Sequence, residues 1–528
     1  MKTKVLLILI VILASMLRFY KLGVIPPSIS WDEAAVGVNA WTIANYGRDE
    51  YGKLFPAFFK SFGDDKHPVH IYTTALSVKI LGLSEFSTRL PSAIFGILNV
   101  ILIFFLARLM FSSEVVGLFA SFFLAISPYN IHFSRFNHEA NFALFFFMLG
   151  LTLFYLVIKK NIKLLFVSLL SFGICFVTYH PSKVVVPLIG LVLAILYRKQ
   201  LFKNKTSLLM PLLIIIVFSV LIFINPQLLG FARVNQTSLG QGDIEKTVGY
   251  HLTHNELLGR LNLVLIQYSW LVSPNYLFIH GDKNPRLSDQ ATGQFYIIDA
   301  LFLLSGLIFL IRKKSREGII LLAWAIFAPL PSAVAAEAPH AARAMFMMGS
   351  WHLISALGFS SLLNLIKKPI LKKGVLILTG GILTVFLLVY LNHYFGEYAK
   401  KNGIDWQYGM KQIVEYVEAH PEYSQVFMTK ARSQPYIFFL YYLKVPLPDY
   451  LNSVVYNRAE SASYNTVSYF DRYYFEGWDP IESQPKEGFL YILTPSEYDG
   501  LRYKLLFDIK KTVYYPNQTI AYYIVSKK

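Results

Sequence analysis

Long apolar runs constrain this chain more than any other feature of its sequence. Runs of about 15 to 23 mostly apolar residues recur along its 528 residues, of which 55% are hydrophobic and only 15% are charged. A helix of about 20 apolar residues spans the hydrocarbon layer of a membrane, where only helices and closed barrels satisfy their own backbone hydrogen bonds. The sequence therefore predicts a polytopic α-helical membrane protein.

The net charge of +17 comes mainly from short basic loops between these runs. They alternate with longer, nearly neutral loops, and the positive-inside rule places the basic loops in the cytoplasm. The charge therefore indicates topology and contact with membrane lipids, and it gives no argument for a nucleic acid partner. The cations of the short loops are Lys2, Lys4, Arg108, Lys159, Lys160, Lys163, Arg198, Lys199, Lys203, Lys205, Arg312, Lys313, Lys314, Arg316, Lys367, Lys368, Lys372 and Lys373.

With these loops inside, the sequence predicts eleven transmembrane helices and an outer C-terminus. No small-x-small cleavage motif follows the first run before Pro26, so that run is predicted to be retained. The stretch 69–83 is left out of the count because it is short, contains His70 and Lys79 and precedes no basic loop; an interfacial helix fits it better. The predicted spans are 4–20, 90–110, 114–131, 140–158, 163–179, 184–197, 207–225, 294–311, 317–333, 344–366 and 374–394.

Two long loops are predicted on the outer side. The first, 21–89, is long enough for two helices at the membrane surface, 33–46 and 69–83, and the second covers 226–293. Long loops between packed elements usually carry function. Both outer loops are therefore places to look for a site.

The composition divides the chain into two predicted domains. Residues 1–395 form the membrane domain, and from residue 396 onward the chain is rich in Tyr, Glu, Asp, Pro and Lys. Short alternating stretches in this region, such as 425–429, 489–493 and 520–525, are typical of strands. The sequence predicts a small extracytoplasmic α/β domain at 396–528.

Two adjacent carboxylates are the first candidates for chemistry. Asp32 and Glu33 follow Trp31 at the predicted beginning of a helix, where the helix dipole favours negative charge. A carboxylate is also the general base that a hydroxyl nucleophile needs. A helix cap with a solvated neighbour is the plain structural alternative, and the pair alone does not decide between the two.

Other charged residues fall on the same predicted face of the membrane. Lys66 and His67 precede the second surface helix, where they could contact lipid headgroups or bind a phosphate. A lone charge at a helix end is usually an anchor, but groups of acid, imidazole and base at one membrane boundary indicate a site. The other members are Arg89 at the start of the second span, Arg135, His138 and Glu139 after the third, and Glu337, His340 and Arg343 after the ninth.

Several familiar site types are absent from the sequence. It has no Gly-rich phosphate loop, dinucleotide fingerprint or nucleophile elbow. Its one cysteine, Cys175, excludes an intrachain disulfide and a cysteine-based zinc site. Adjacent helical residues point about 100° apart, which disfavours a metal shared by His138 and Glu139 alone. No cofactor is predicted, although a divalent metal stays possible.

At its charged candidate residues, the sequence resembles the GT-C fold glycosyltransferases that use polyprenyl-phosphate sugars. The similarity covers about residues 1–395 and is strongest to the branch with dolichyl-phosphate-mannose protein O-mannosyltransferases, lipid A aminoarabinose transferases and bacterial family 39-like enzymes. It is carried by Asp32-Glu33, Lys66-His67-Pro68, Arg89-Leu90-Pro91-Ser92 and the acidic motif ending in Glu139. Two features depart from the pattern: a second proline is missing after Pro68, and the C-terminal region shows no sugar-binding repeats.

The resemblance implies transfer of a sugar, with inversion, from a polyprenyl-phosphate donor to a protein, lipid or glycan acceptor outside the plasma membrane. It implies that Asp32 is the base, with Glu33 beside it, and that Glu139 is the second acidic residue, which orients the acceptor or helps bind metal in relatives. The expected donor-phosphate contacts are Lys66, His67, Arg89, His340 and Arg343, and the expected acceptor or loop supports are Arg135 and His138.

Two other functions fit a polytopic protein. A secondary transporter would place its charges near the bilayer midplane, often in paired repeats. Here the charges lie at one predicted boundary, and no repeat is found. A ligase or flippase for lipid-linked glycans shares the large outer loops and stays an alternative. The sequence favours the glycosyltransferase.

Overall fold

The computed structural model describes residues 2–62, 64–160, 165–201, 209–229, 237–457, 466–475 and 485–528. Lys163, Lys203 and Lys205, which contribute to the predicted topology, lie outside the described residues. The α-helices, in chain order, are α1 (Lys2–Phe19), α2 (Trp31–Tyr46), α3 (Pro68–Leu81), α4 (Glu85–Phe111), α5 (Glu114–Ile126), α6 (Pro128–Phe133), α7 (Glu139–Lys160), α8 (Leu165–Phe176), α9 (Ser182–Leu196), α10 (Arg198–Leu201), α11 (Leu209–Ile224), α12 (Gln241–Glu245), α13 (Val248–Thr253), α14 (Glu256–Leu271), α15 (Asp299–Lys313), α16 (Arg316–Phe327), α17 (Leu330–Ala333), α18 (Met347–Leu365), α19 (Pro369–His393), α20 (Ala399–Lys401), α21 (Met410–Ala419), α22 (Tyr436–Leu443), α23 (Leu447–Ser453) and α24 (Pro495–Asp499).

Each predicted span overlaps at least one of these helices. Among the described residues, four helices are long and apolar enough to cross a membrane, judged by length and composition: Glu85–Phe111, Glu139–Lys159, Arg316–Ala333 and Pro369–Lys401. Shorter apolar helices are Glu114–Ile126, Leu165–Phe176, Ser182–Leu196 and Pro211–Ile224. The chain is a helical membrane protein, and the number of eleven spans stays a prediction.

Several predicted spans differ in detail from the observed helices, and two of the differences have a clear physical reason or consequence. The span predicted at 114–131 is interrupted: α5 ends at Ile126, and α6 begins at Pro128. Proline cannot donate the hydrogen bond that would continue α5, but it is well suited to a first helical position. The second difference is that α4 begins at Glu85, so Arg89 lies within its first turns and not at the entrance of the span.

The chain forms two compact units. The first contains Met1–Tyr20 and Ser92–Tyr394, and the second contains Lys21–Pro91 and Phe395–Lys528. In the first unit, Gly358 of α18 lies directly against the Phe302 carbonyl of α15, and Gly306 of α15 lies against the Ile354 carbonyl. Small residues let the two helices approach this closely, as is common between membrane helices.

The second unit combines the predicted outer loop with a mixed sheet. Its strands are β1 (Phe59–Ser61), β2 (Asp64–Lys66), β3 (Gln425–Met428), β4 (Val455–Tyr456), β5 (Val467–Phe470), β6 (Tyr473–Tyr474), β7 (Phe489–Leu493), β8 (Phe507–Tyr514) and β9 (Ile520–Lys527). Strands β1 and β2 pair antiparallel, and the other strands form one sheet in the order β4-β5-β6-β3-β7-β9-β8. The three stretches predicted as strands are β3, β7 and β9.

The two helices predicted in the first outer loop are present as α2 and α3. Both belong to the apolar core of the second unit, where Val36 of α2 and Ile71 of α3 are buried in the same cluster as Phe438 of α22. Gly37 lies against the Tyr441 ring, which brings α2 close to α22. This packing anchors α2, whose first turn carries Asp32 and Glu33. The position of both helices at a membrane surface stays a prediction.

Candidate active site

Helix α2 begins with a capping box. The Ser30 hydroxyl accepts a hydrogen bond from the Glu33 amide at 3.3 Å, and the Glu33 carboxylate accepts one from the Ser30 amide at 3.3 Å. Two amides that have no partner within the helix are satisfied in this way. The box holds Asp32 in the first turn.

The Glu33 carboxylate forms a buried ion pair with Arg89. Arg89 Nε and Nη2 donate to the two carboxylate oxygens at 3.0 and 3.1 Å. Its remaining N–H groups donate to the carbonyls of Leu22, Pro26 and Ser28. A guanidinium has five N–H donors. Each of these donors has an acceptor either in the segment before α2 or in the first turn of α2. These contacts do not favour the predicted contact of Arg89 with a donor phosphate.

The Asp32 carboxylate has a different environment. Its side chain is 50% exposed, and Lys66 Nζ lies 2.9 Å from Asp32 Oδ1. Lys66 also donates to the Asp32 carbonyl at 3.3 Å, and its ammonium is 5.3 Å from the centre of the Phe62 ring. The pair therefore places a carboxylate that solvent can reach beside a cation. A hydroxyl bound there could give its proton to Asp32.

His67 is the remaining predicted site residue that lies in the second unit. It is buried directly before α3, and Pro68 occupies the first position of that helix. The second unit thus brings Asp32, Glu33, Lys66 and Arg89 together around the start of α2, but as two separate ion pairs.

In the first unit, Arg135 caps the carboxyl end of α1. Its guanidinium donates to the carbonyls of Leu17, Arg18 and Tyr20 at 3.0, 3.1 and 2.7 Å. The last carbonyls of a helix lack intrahelical partners and attract cations. Arg135 is fully buried, and these contacts hold the end of α1. Its predicted part in supporting a loop or acceptor stays a prediction.

His138 and Glu139 mark the start of α7. His138 Nδ1 accepts from the Ala140 amide at 3.1 Å and lies 3.6 Å from a Glu139 carboxylate oxygen. Both side chains are about one quarter exposed, at 23% and 25%. Within the described residues, no group of three or more His, Cys, Asp or Glu side chains is placed to hold a metal ion.

His340 and Arg343 lie in an irregular segment of the first unit. The Arg343 amide donates to His340 Nδ1 at 3.4 Å, and the His340 amide donates to the Ser332 hydroxyl at 3.0 Å. The Arg343 guanidinium donates to the Ala336 carbonyl and lies 3.7 Å from the Glu337 carboxylate. The two predicted phosphate-binding residues are therefore neighbours in space as well as in sequence.

Asp282, which sequence reasoning missed, holds this segment in place. Its carboxylate accepts from the Ala341 amide at 2.5 Å and from the Asn284 amide at 2.8 Å. Burial raises the pKa of Asp282 to about 6, and the two hydrogen bonds and Arg343 oppose the rise. The signal in the sequence was the turn Gly281-Asp282-Lys283-Asn284, in which Gly281 has a positive φ of 72°.

Glu50 was also missed, although it is fully buried in the second unit. The Tyr436 hydroxyl donates to one carboxylate oxygen at 3.3 Å, and the other oxygen has no hydrogen-bond partner among the described residues. Burial, reinforced by the charge of Asp49, raises the pKa of Glu50 to about 8, while Lys66 acts to lower it. At neutral pH this carboxyl is mainly protonated. No local motif marks it in the sequence.

Comparison with known proteins gives a match to one family model over part of the chain and a similar fold among solved structures. Residues 65–223 match the profile of the family described as dolichyl-phosphate-mannose-protein mannosyltransferase. A search of the curated proteins gives no match. Among solved structures, ArnT from Cupriavidus metallidurans in the apo state is similar, with a TM-score of 0.60, 13% identity, and coverage of 98% of this chain and 97% of that one.

A second ArnT structure, bound to undecaprenyl phosphate, matches with a TM-score of 0.59, 12% identity and the same coverage. The oligosaccharyltransferase of Archaeoglobus fulgidus, in complex with Zn and sulfate, gives a TM-score of 0.49 at 14% identity and covers 83% of this chain and 61% of its own. The resemblance predicted from the sequence is confirmed: the chain has the GT-C fold of glycosyltransferases that use polyprenyl-phosphate sugars.

Proposed function

We propose that this protein transfers a sugar from a polyprenyl-phosphate donor to an acceptor on the outer face of the plasma membrane. The observation that carries the proposal is the half-exposed Asp32 carboxylate, 2.9 Å from the Lys66 ammonium on an anchored helix start. The similarity to ArnT, whose structure holds undecaprenyl phosphate, supports a lipid phosphate as the leaving group. The acceptor is a protein, a lipid or a glycan.

In the proposed reaction, Asp32 is the general base. Its carboxylate takes the proton of an acceptor hydroxyl while that oxygen attacks the anomeric carbon of the sugar. The bond from this carbon to the phosphate oxygen breaks, and the polyprenyl phosphate leaves with the electron pair. Attack and departure occur on opposite faces, so a single displacement inverts the configuration. General-base catalysis of this kind contributes about 10²- to 10⁴-fold in rate.

Lys66 supplies the cation that the leaving phosphate needs. Before reaction its ammonium is paired with Asp32. When Asp32 takes up a proton it loses its negative charge, and the phosphate gains one as the bond to the sugar breaks. Lys66 can then neutralise the phosphate without any further charge entering the site. Removing one such group typically costs about 10²- to 10³-fold in rate.

Glu33 and Arg89 act in this proposal through the position of Asp32. Their buried pair fixes the first turn of α2, and neither side chain is available to solvent. Direct contacts with donor or acceptor by His67, Glu139, Arg135, His138, His340 and Arg343 stay predictions, which substitution of each residue can test.

The test is a transfer assay with the purified protein in lipid nanodiscs. Defined polyprenyl-monophosphate sugars are supplied with candidate acceptors, and release of polyprenyl phosphate is measured together with the glycosylated product. The expected result is release that depends on the acceptor and is lost in Asp32→Asn. Transfer only from pyrophosphate-linked glycans would point to a ligase, and translocation without cleavage would point to a flippase; either result would overturn the proposal.

A further inference from the structure

The sheet of the second unit contains a polar cluster that the proposed reaction does not use. Strand β3 lies at the centre of the sheet, parallel to both neighbours, β6 and β7. After β3 the chain first builds one side of the sheet, through β4, β5 and β6, and then the other, through β7, β8 and β9. In open α/β sheets, ligands bind outside the carboxyl ends of the strands where the strand order reverses in this way.

The loops at the carboxyl ends of β3 and β7 are tied together. The Thr429 amide donates to the Ile492 carbonyl at 3.1 Å, and the Thr429 hydroxyl donates to Glu497 at 2.6 Å. The other Glu497 oxygen accepts from the amide and the hydroxyl of Thr494, both at 2.8 Å. Both oxygens of the Glu497 carboxylate thus accept hydrogen bonds within these two loops.

The groups at the carboxyl ends of β3 and β7 that still lack a good hydrogen bond are donors. The Arg432 guanidinium lies beside the hydroxyls of Tyr515 and Tyr522, and its interaction with both acts against the rise in their pKa that burial causes. Arg432 Nε and the Tyr522 hydroxyl are buried, and neither makes a hydrogen bond of good geometry among the described residues. Buried polar groups are almost always paired, and an exception needs an explanation such as an absent ion or ligand. Burial also raises the pKa of Tyr522, so its hydroxyl keeps its proton.

The two residues that follow Arg432 have an unfavourable backbone conformation. Ser433 and Gln434 follow each other with positive φ of 63° and 45°, a conformation that L-residues rarely adopt and that tends to occur at binding sites. Gly409, where α21 begins, lies so close to the Tyr522 ring that a Cβ would be 3.2 Å from it. A helix start carries partial positive charge. The guanidinium and the helix start favour negative charge at this edge, and the carboxylates of Glu497 and Asp405, which also act on Tyr522 and Tyr515, oppose it.

We propose that the crevice at the carboxyl ends of β3 and β7 binds the oxyanion group of a small ligand, a phosphate or a carboxylate, through Arg432 and the Tyr522 hydroxyl. A guanidinium presents its donors as a planar fork that matches both groups. The ligand is either a free anion such as inorganic phosphate or an acidic sugar that carries a carboxylate. The proposal is independent of sugar transfer.

The experiment uses the full-length protein in nanodiscs and titrates it by calorimetry with inorganic phosphate, with glucuronate and with glucose as the neutral control. Wild type is expected to bind at least one of the two anions and not glucose. Arg432→Gln should weaken that binding about tenfold or more, because hydrogen bonds to charged groups are among the strong ones. Tyr522→Phe, which keeps the ring, should weaken it less.

Lys430→Gln is the matched control, because Lys430 is exposed in the same loop and its substitution removes the same charge. It should bind as wild type does. Arg432→Lys covers the case in which Arg432→Gln does not fold, since it keeps the charge, loses the fork and should still bind more weakly.

A stronger response to phosphate than to glucuronate identifies the free anion, and the reverse identifies the acidic sugar. Equal affinity in wild type and Arg432→Gln, equal loss in Lys430→Gln, or no binding of either anion by wild type would overturn the proposal.

Discussion

Asp32 and Glu33 are adjacent in the chain, yet their ion pairs differ in almost every physical respect. The Asp32 side chain is half exposed and pairs with the Lys66 ammonium, whereas the Glu33 side chain is 1% exposed and is bound through two parallel hydrogen bonds from a guanidinium. A pair with an exposed partner contributes less to stability than a buried pair, whose breaking costs about 3–5 kcal/mol. In the proposed reaction the first pair exchanges its partner for a substrate, and the second holds the first in place. Four substitutions test this division of work.

Asp32→Asn should show the largest effect, and it should appear in the rate alone. Asparagine is nearly isosteric with aspartate but takes no proton at neutral pH, so single-turnover transfer should fall by about 10²- to 10⁴-fold. The midpoint of thermal unfolding should change little, since the asparagine side chain keeps an oxygen that can accept a hydrogen bond from the Lys66 ammonium. Asp449→Asn, an exposed carboxylate in the first turn of α23, is the control. Near wild-type transfer would remove Asp32 as the base and direct the search to Glu33 or Glu139.

Glu33→Gln should show the opposite pattern, with a loss of stability. The change leaves the Arg89 charge buried without its carboxylate, which should lower the free energy of unfolding by about 3–5 kcal/mol. The measurement is denaturant unfolding followed by intrinsic fluorescence. Glu114→Gln is the matched control, because Glu114 pairs with Arg108 and both side chains are about half exposed. Equal stability of the two variants would show that burial is not what distinguishes the pairs.

Lys66→Gln should slow transfer by about 10²- to 10³-fold, the usual effect of removing one group that stabilises developing charge. Because the lysine is proposed to act on the phosphate, the affinity for polyprenyl phosphate should fall as well, whereas Asp32→Asn should leave it unchanged. Lys60→Gln, an exposed cation on the paired strand β1, controls for net charge. Unchanged donor affinity and rate in Lys66→Gln would restrict Lys66 to holding Asp32.

The last test concerns Glu50, a buried carboxyl that accepts a hydrogen bond from Tyr436 instead of pairing with a cation. Its pKa is about 8 in the folded protein against 4.5 as the reference for the unfolded chain. Between these values the folded state binds the extra proton, so protein stability should fall as the pH rises from about 5 through 8. Glu50→Gln should flatten this part of the stability profile, and the exposed Glu487→Gln should not. The same slope in wild type and Glu50→Gln would show that Glu50 ionises normally.

Local patterns were sufficient for much of the fold. The length of the first outer loop and the apolar stretch within it predicted the helices now seen as α2 and α3, and alternation predicted β3, β7 and β9. The difference between Asp32 and Glu33 could not be predicted, because it depends on which carboxylate meets a guanidinium 56 residues further along the chain. Asp282 and Glu50 escaped for the same reason, since burial by distant segments creates their properties. Pro128 is a local signal for the interruption of the third predicted span. The apolar composition around it nevertheless led to the prediction of one continuous span.

The contacts of Arg89 also affect the order in which the protein can take shape during synthesis. Its acceptors begin at Leu22 and end at Glu33, so they leave the ribosome 67 to 56 residues before the side chain that binds them. At about 5–20 residues per second, this is a delay of about 3 to 13 s. During that interval no guanidinium is present to bind the carbonyls between Leu22 and Glu33. We expect these carbonyls to stay hydrogen-bonded to water until Arg89 is made. The start of α2 can reach its final form only after the beginning of α4 has been made.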